Sequence, residues 1–126
     1  MNLGESMGKK KKKTANGVLI TNGWTYHDYM HSPEWKKKRQ EAFSLHGRYC
    51  AACASNSNLH VHHKTYSSLG QENIDKDLVV LCYKHHKGVH KSYDLAKKAN
   101  YATSLRSVTE DYINKVKIDI KQKLNL

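Results

Sequence analysis

The sequence has few of the features that mark membrane-spanning, secreted or disulfide-bonded proteins. It contains one proline, one phenylalanine and three cysteines among 126 residues. No run of about 18 apolar residues is present, so we expect a chain that does not span a membrane. The N-terminal stretch MNLGESMGKKKKKTANGVLI lacks the apolar centre of a signal peptide. A small, odd number of cysteines argues against a disulfide framework. These absences predict a cytoplasmic protein.

Acidic residues are scarce relative to basic ones. Eleven Asp and Glu residues stand against 22 Lys and Arg residues, which gives a formal net charge of +11 and a pI near 9.6. A field of this sign attracts polyanions. Nucleic acid is the first candidate partner, and an anionic membrane surface is the second.

The length allows one domain with tails. Residues 1–23 include five consecutive lysines and are predicted to form a flexible basic arm, which either aids solubility or contacts DNA. Residues 24–95 are predicted to form the main domain, and residues 96–126 a C-terminal helical extension.

A capped helix is predicted for HSPEWKKKRQEAFSLHGRYC. Ser32 suits the N-cap, Pro33 the first helical position and Gly47 the stop after the last turn. The expected apolar side consists of Trp35, Ala42, Phe43 and Leu45.

Two strands and two further helices are predicted downstream. LHVHHKTY and DLVVLC have strand character and flank a polar loop, and YKHHKGVHKSYDLAKKA follows as a helix. Near the C-terminus, Ser107 and Glu110 form a capping-box pattern, so a helix is preferred there. The alternation of Val116, Ile118 and Ile120 with charged residues is the competing strand signal.

Cysteine spacing indicates a metal site. Cys50 and Cys53 are separated by two residues, and Cys82 and His85 repeat that spacing. Two such pairs facing each other form a closed tetrahedral set suited to structural zinc. A thioredoxin-like redox pair is the alternative, but no alternating strand–helix pattern surrounds it.

Histidines are concentrated in residues 59–90, which hold six of the nine. His86 and His90 are four residues apart and would share one helix face. A third imidazole from the adjacent pair His62 and His63 would complete a three-ligand site with open positions, which is typical of a catalytic rather than a structural metal site.

The segments SPEWKKKRQEAFSLHGRYC, CAAC, LHVHH and DLVVLCYKHHKGVH together resemble an HNH endonuclease of the phage and bacterial type, over residues 26–91. The resemblance implies a small ββα-metal (His-Me finger) core. The expected fold class is therefore α+β: this core with an N-terminal helix, a structural zinc knuckle pair and a C-terminal helix.

The resemblance also assigns roles. It implies that His62, His86 and His90 hold a catalytic divalent ion (Mg²⁺, Mn²⁺, Ni²⁺ or Zn²⁺) and that His63 is the general base. Asp77 falls where the family has Asn, a residue that pins the long loop and helps orient the base. The implied reaction is hydrolysis of DNA phosphodiester bonds, by nicking or double-strand cutting.

Double-stranded DNA is the expected partner, and basic side chains would contact its phosphates. The candidates are Lys36, Lys37, Lys38, Arg39, Arg48, Lys64, Lys84 and Lys87. The alternative function is a zinc-stabilised DNA-binding module without catalysis, which would not need His62, His63, His86 and His90. The biological role (phage packaging with its partners, homing, restriction or host attack, in a bacterial host or encoded by a phage) and the oligomeric state, monomer or dimer, stay open.

Overall fold

The computed structural model describes residues 24–124, and the predicted arm at residues 1–23 lies outside them. Over the described residues the chain is α+β, with helices around a two-stranded antiparallel sheet, as predicted for the fold class. In chain order the elements are α1 Tyr26–Met30, α2 Pro33–His46, β1 Leu59–His63, α3 Ile74–Asp77, β2 Leu78–Cys82, α4 Tyr83–Lys98 and α5 Leu105–Leu124.

Helix α2 begins and ends where its capping residues predict. The Ser32 hydroxyl accepts a hydrogen bond from the Trp35 backbone N–H at 3.1 Å, and Gly47 ends the helix with a φ of +94°. Trp35 and Phe43 are buried, but Leu45 is 57% exposed, so its expected place on the apolar side was wrong. It lies two residues after Phe43, about 200° around the helix axis.

The sheet pairs β1 with β2 from Leu59↔Cys82 to His63↔Leu78. Successive strand residues point to opposite faces. Val61 and Leu78 pack with Trp35 of α2, whereas Val79 packs on the other side, in the cluster that includes residues of α4 and α5. The sheet therefore has an α2 face and an α4–α5 face.

The long connection between the strands contains a short helix that the sequence did not predict. In α3, Ile74–Asp77, the Asn73 side chain caps the first turn by accepting from the Lys76 backbone N–H at 2.9 Å. The helix ends directly at the start of β2.

Helix α5 begins earlier than its predicted capping box. The Ser104 hydroxyl accepts from the Ser107 backbone N–H at 3.1 Å, so Ser107 lies inside the first turn and not at the cap. Leu105, Thr109 and Ile113 are buried against the core. The preference for helix over strand is confirmed, but its start was predicted too late.

Helix α4 continues through the predicted domain boundary at residue 95 to Lys98. Over residues 24–124 no helix combines the length and apolarity needed to cross a bilayer.

Candidate functional site

The four predicted cysteine-site residues lie together at one end of the sheet. The Sγ atoms of Cys53 and Cys82 are 3.9 Å apart, and the His85 Nδ1 atom lies 3.4 Å from Cys82 Sγ and 3.7 Å from Cys50 Sγ. All four donor atoms lie within 4.8 Å of one another. This cluster could hold a metal ion.

A tight turn positions Cys50 and Cys53 in this cluster. The Ala52 backbone N–H donates to Cys50 Sγ at 3.3 Å, and the Ala51 N–H donates to the Val80 carbonyl oxygen, which ties the turn to β2. Burial raises the pKa of the Cys50 thiol, but the backbone groups of Cys82, Cys53 and Ala52 outweigh it and bring the pKa below its usual value. The thiolate, which is the form that binds metal, is thereby favoured.

A second cluster, the histidine cluster, consists of His62 from β1 and His86 and His90 from α4. The ring centroids are 5.1 Å apart for His62–His86 and for His62–His90, and 4.9 Å apart for His86–His90. One nitrogen from each ring lies within 4.8 Å of the others. The structure thus brings together the three residues for which a catalytic ion was predicted.

The histidine cluster is electrically neutral near physiological pH. Burial, reinforced by nearby His86 and His90, lowers the pKa of His62 to about 2, and burial lowers that of His86 to about 4. Burial also lowers the pKa of His90. Neutral imidazoles present the lone pairs that a metal ion needs.

His62 itself has one satisfied and one unsatisfied nitrogen. Its Nε2 lies 2.9 Å from the Thr109 hydroxyl oxygen, and its buried Nδ1 has no hydrogen-bond partner within residues 24–124. Buried polar atoms are normally paired, so an orphaned nitrogen beside two neutral imidazoles fits a site that takes an ion.

His60 adjoins this cluster and was not predicted as a site residue. Its Nδ1 lies 3.0 Å from the Nδ1 of His86, so one of the two rings donates to the other. The two-residue period of a β-strand could have identified His60 as a candidate, because residues 60 and 62 of one strand lie on the same face.

His63, the predicted base, lies on the opposite face of β1. Its ring stacks on Trp35 with centroids 4.6 Å apart, and its Nε2 lies 2.7 Å from Glu72 Oε2. The Tyr29 hydroxyl donates to the other Glu72 oxygen at 2.7 Å. Burial raises the pKa of Glu72, but the hydrogen bonds from His63 and Tyr29 hold it below its usual value. Glu72 is therefore a buried carboxylate that remains charged.

Glu72 bonds to His63, the predicted base, whereas Asp77, which was predicted to pin the loop and help orient that base, has other partners. The Asp77 carboxylate is bonded to Ser68, to the Asn73 backbone N–H and, at 2.7 Å, to Arg106 of α5. The Lys64 N–H also donates to the Asp77 carbonyl oxygen at 2.8 Å. Asp77 thus anchors the loop and the end of β1, and Glu72 contacts the histidine.

One cleft connects His63 with the histidine cluster. His60, His63, His86 and His90 line a cavity of about 330 Å³, and Arg39 of α2 reaches the same cavity. The proposed base, two of the proposed ligands and one cation therefore face a common space.

The other predicted DNA contacts lie elsewhere on the surface. Lys36 and Lys37 are exposed on α2, Lys38 is half-buried there, and the Arg48 guanidinium lies over the Phe43 ring at 4.4 Å. Lys64 pairs with Glu110 at 3.5 Å, and Lys87 lies over the Tyr83 ring at 5.4 Å. Lys84 borders a cavity beside the cysteine cluster.

No protein-family model, curated protein or solved structure matches this chain. The likeness to HNH endonucleases therefore stays a prediction from the motifs.

Proposed function

We propose that the chain is a metal-dependent HNH endonuclease that hydrolyses DNA phosphodiester bonds, with β1, β2 and α4 as its ββα-metal core. The observation that supports this most is the cleft in which His63, backed by the buried Glu72 carboxylate, faces the same space as His86 and His90. An inert zinc-stabilised module has no use for such an arrangement.

Zinc is the proposed ion of the cysteine cluster. With metal–sulfur bonds of about 2.3 Å and metal–nitrogen bonds of about 2.05 Å, a tetrahedral site has S···S edges of about 3.8 Å and S···N edges of about 3.6 Å. The observed 3.9 Å between Cys53 and Cys82, and 3.4 Å and 3.7 Å from His85 to the sulfurs of Cys82 and Cys50, agree with these edges. Three sulfur donors and one nitrogen favour zinc over magnesium or calcium.

The histidine cluster fits a second, catalytic ion. His62, His86 and His90 offer three neutral nitrogens and leave coordination positions for water and substrate. A divalent ion held there would supply Lewis-acid stabilisation to the phosphodiester under attack. Imidazole donors accept Mg²⁺, Mn²⁺, Ni²⁺ or Zn²⁺, so all four are candidates.

The hydrogen bond to Glu72 determines which nitrogen of His63 can act as base. A charged carboxylate only accepts, so the Nε2 of His63 carries the hydrogen and donates it to Glu72. With that hydrogen on Nε2, the nitrogen of His63 that can take a proton from a water molecule attacking phosphorus is Nδ1. The negative charge of Glu72 stabilises the imidazolium that forms.

The charge of the chain suits a DNA substrate. The net charge of +11 attracts the DNA backbone, and Arg39 lines the cleft, where its guanidinium can contact a phosphate. By the family resemblance, the products carry a 5′-phosphate and a 3′-hydroxyl.

Cleavage of supercoiled plasmid with a panel of divalent ions, with EDTA as control, tests this proposal. His63→Ala should keep affinity for the second ion yet lose about 10²–10⁴-fold in rate. His90→Ala should instead lose metal affinity and recover part of its rate at high ion concentration. His31→Ala, an exposed histidine bonded to the His27 carbonyl oxygen, is the matched control.

Two outcomes would count against this assignment. If His63→Ala loses the second ion while His62→Ala keeps it, the roles within the histidine pair are reversed. If His63→Ala and His90→Ala both cut as fast as the parent, the chain does not use this cluster for cleavage.

A further inference from the structure

Helix α5 contacts the histidine cluster through Thr109. Its side chain is fully buried, and its Oγ1 lies 2.9 Å from His62 Nε2 and 2.7 Å from the Leu105 carbonyl oxygen. The chain separates Thr109 from His62 by 47 residues, so the tertiary fold alone creates this contact.

The two hydrogen bonds of Thr109 determine the tautomer of His62. A carbonyl oxygen only accepts, so the Thr109 hydroxyl hydrogen points to Leu105. The hydroxyl oxygen must then accept in its bond with His62, and the Nε2 of His62 must carry the hydrogen. A neutral imidazole, the form that binds a metal ion, has one ring hydrogen, and the bond to Thr109 places that hydrogen on Nε2. The lone pair is therefore on Nδ1.

The remaining nitrogen is the orphaned one. His62 Nδ1 is buried without a hydrogen-bond partner in the part of the chain that the structure describes, and the rings of His86 and His90 both lie 5.1 Å away, centroid to centroid. A lone pair enclosed in this way is unfavourable unless it meets a cation or a donor.

We infer that Thr109 is a positioning residue of the histidine metal site, which holds His62 in the Nε2–H tautomer and so makes Nδ1 the coordinating atom. This inference rests on the proposed function, because it takes the histidine cluster as an ion site. It places the predicted C-terminal extension inside that site. The ion pairs Arg106–Asp77, at 2.7 Å, and Lys64–Glu110, at 3.5 Å, hold α5 against the same region.

Calorimetric titration with Ni²⁺, on the full chain with its cysteine site filled, tests the role of Thr109. Thr109→Val keeps the shape but removes the acceptor, and it should weaken Ni²⁺ binding about 10–100-fold, as is typical for residues that orient a metal-bound histidine. Thr109→Ser restores the hydroxyl and should bind close to the parent. Ser107→Ala, at an exposed position of the same helix, controls for loss of a hydroxyl from α5.

Nitrogen-15 spectra of the imidazole rings, recorded before Ni²⁺ is added, give a second readout that does not depend on activity. The parent and Thr109→Ser should show His62 with hydrogen on Nε2. A parent spectrum with hydrogen on Nδ1, or a Thr109→Val variant that binds Ni²⁺ as tightly as the parent, would overturn the inference alone. A parent that takes up no Ni²⁺ at the histidine cluster would overturn the proposed function together with it.

Discussion

Glu72 offers a direct test of the proposed base, because its carboxylate and the His63 ring are both buried. The side chain of Glu72 is 0% exposed and that of His63 is 4% exposed, and their atoms Oε2 and Nε2 are 2.7 Å apart. Glu72→Gln keeps the size and a hydrogen-bonding group but removes the negative charge. The imidazolium formed when His63 accepts a proton then loses its counter-charge.

The expected loss of cleavage rate in Glu72→Gln follows from two interaction energies. Hydrogen bonds to charged groups contribute about 1.5–3 kcal/mol and neutral ones about 0.5–1.5 kcal/mol, so replacing the charged bond by a neutral one typically costs about 1 kcal/mol, which we take as the lower bound. Two unit charges about 4 Å apart attract by about 4 kcal/mol at an effective dielectric constant of about 20, which sets the upper bound. These limits predict a fall in the chemical rate of about 5- to 10³-fold.

Single-turnover cleavage of plasmid at saturating divalent ion measures this step, with Ni²⁺ titration in parallel. We expect Glu72→Gln to bind the ion like the parent and to cut more slowly. Tyr29→Phe removes the other hydrogen bond of the carboxylate, at 2.7 Å, but leaves the charge, so it should lose much less. Equal rates for Glu72→Gln and the parent would refute the role of this carboxylate in catalysis.

Two further predictions concern the metal clusters. Cys50→Ser should lose the one tightly held zinc and unfold the domain, because a closed site contributes folding energy directly; elemental analysis showing no zinc in a folded parent would contradict this. For His62, burial lowers the folded-state pKa to about 2, below the usual 6.5, so the unfolded chain binds its proton first as the pH falls. Without added divalent ions, the free energy of unfolding should therefore decrease below about pH 6.5 by up to about 1.4 kcal/mol per pH unit. Denaturant unfolding of the parent and His62→Gln between about pH 7.5 and 5.5 measures this, and an identical pH dependence in both would contradict it.

Local spacing in the sequence was sufficient to predict much of the site. The repeated two-residue separation in Cys50–Cys53 and Cys82–His85 predicted a cluster that the structure assembles, and the four-residue separation of His86 and His90 placed both rings on one side of α4. Capping residues likewise predicted the limits of α2. The predictions from these features were correct because each feature depends on a backbone period or turn that the chain adopts locally.

The residues that contact the rings of His62 and His63 at hydrogen-bond distance were not predictable in this way. Glu72 lies in a polar loop beside Gln71 and Asn73, and nothing in its neighbourhood distinguishes it until the fold buries it against His63. The same holds for Thr109, because nothing in the sequence around this helical threonine indicates its contact with a strand histidine 47 residues away. Long-range hydrogen bonds of this kind leave no periodic signal in a single sequence.

Both clusters include a residue from the first turn of α4. His85 and His86 are consecutive at the start of α4, and side chains of consecutive helical residues point about 100° apart. His85 therefore faces the cysteines while His86 faces His62 and His90. An ion held at the cysteine cluster would fix the first turn of α4 against β2 and against the turn that carries Cys50 and Cys53. The first turn of α4 also carries His86, so the proposed structural site would determine the position of a proposed catalytic ligand through a single peptide bond.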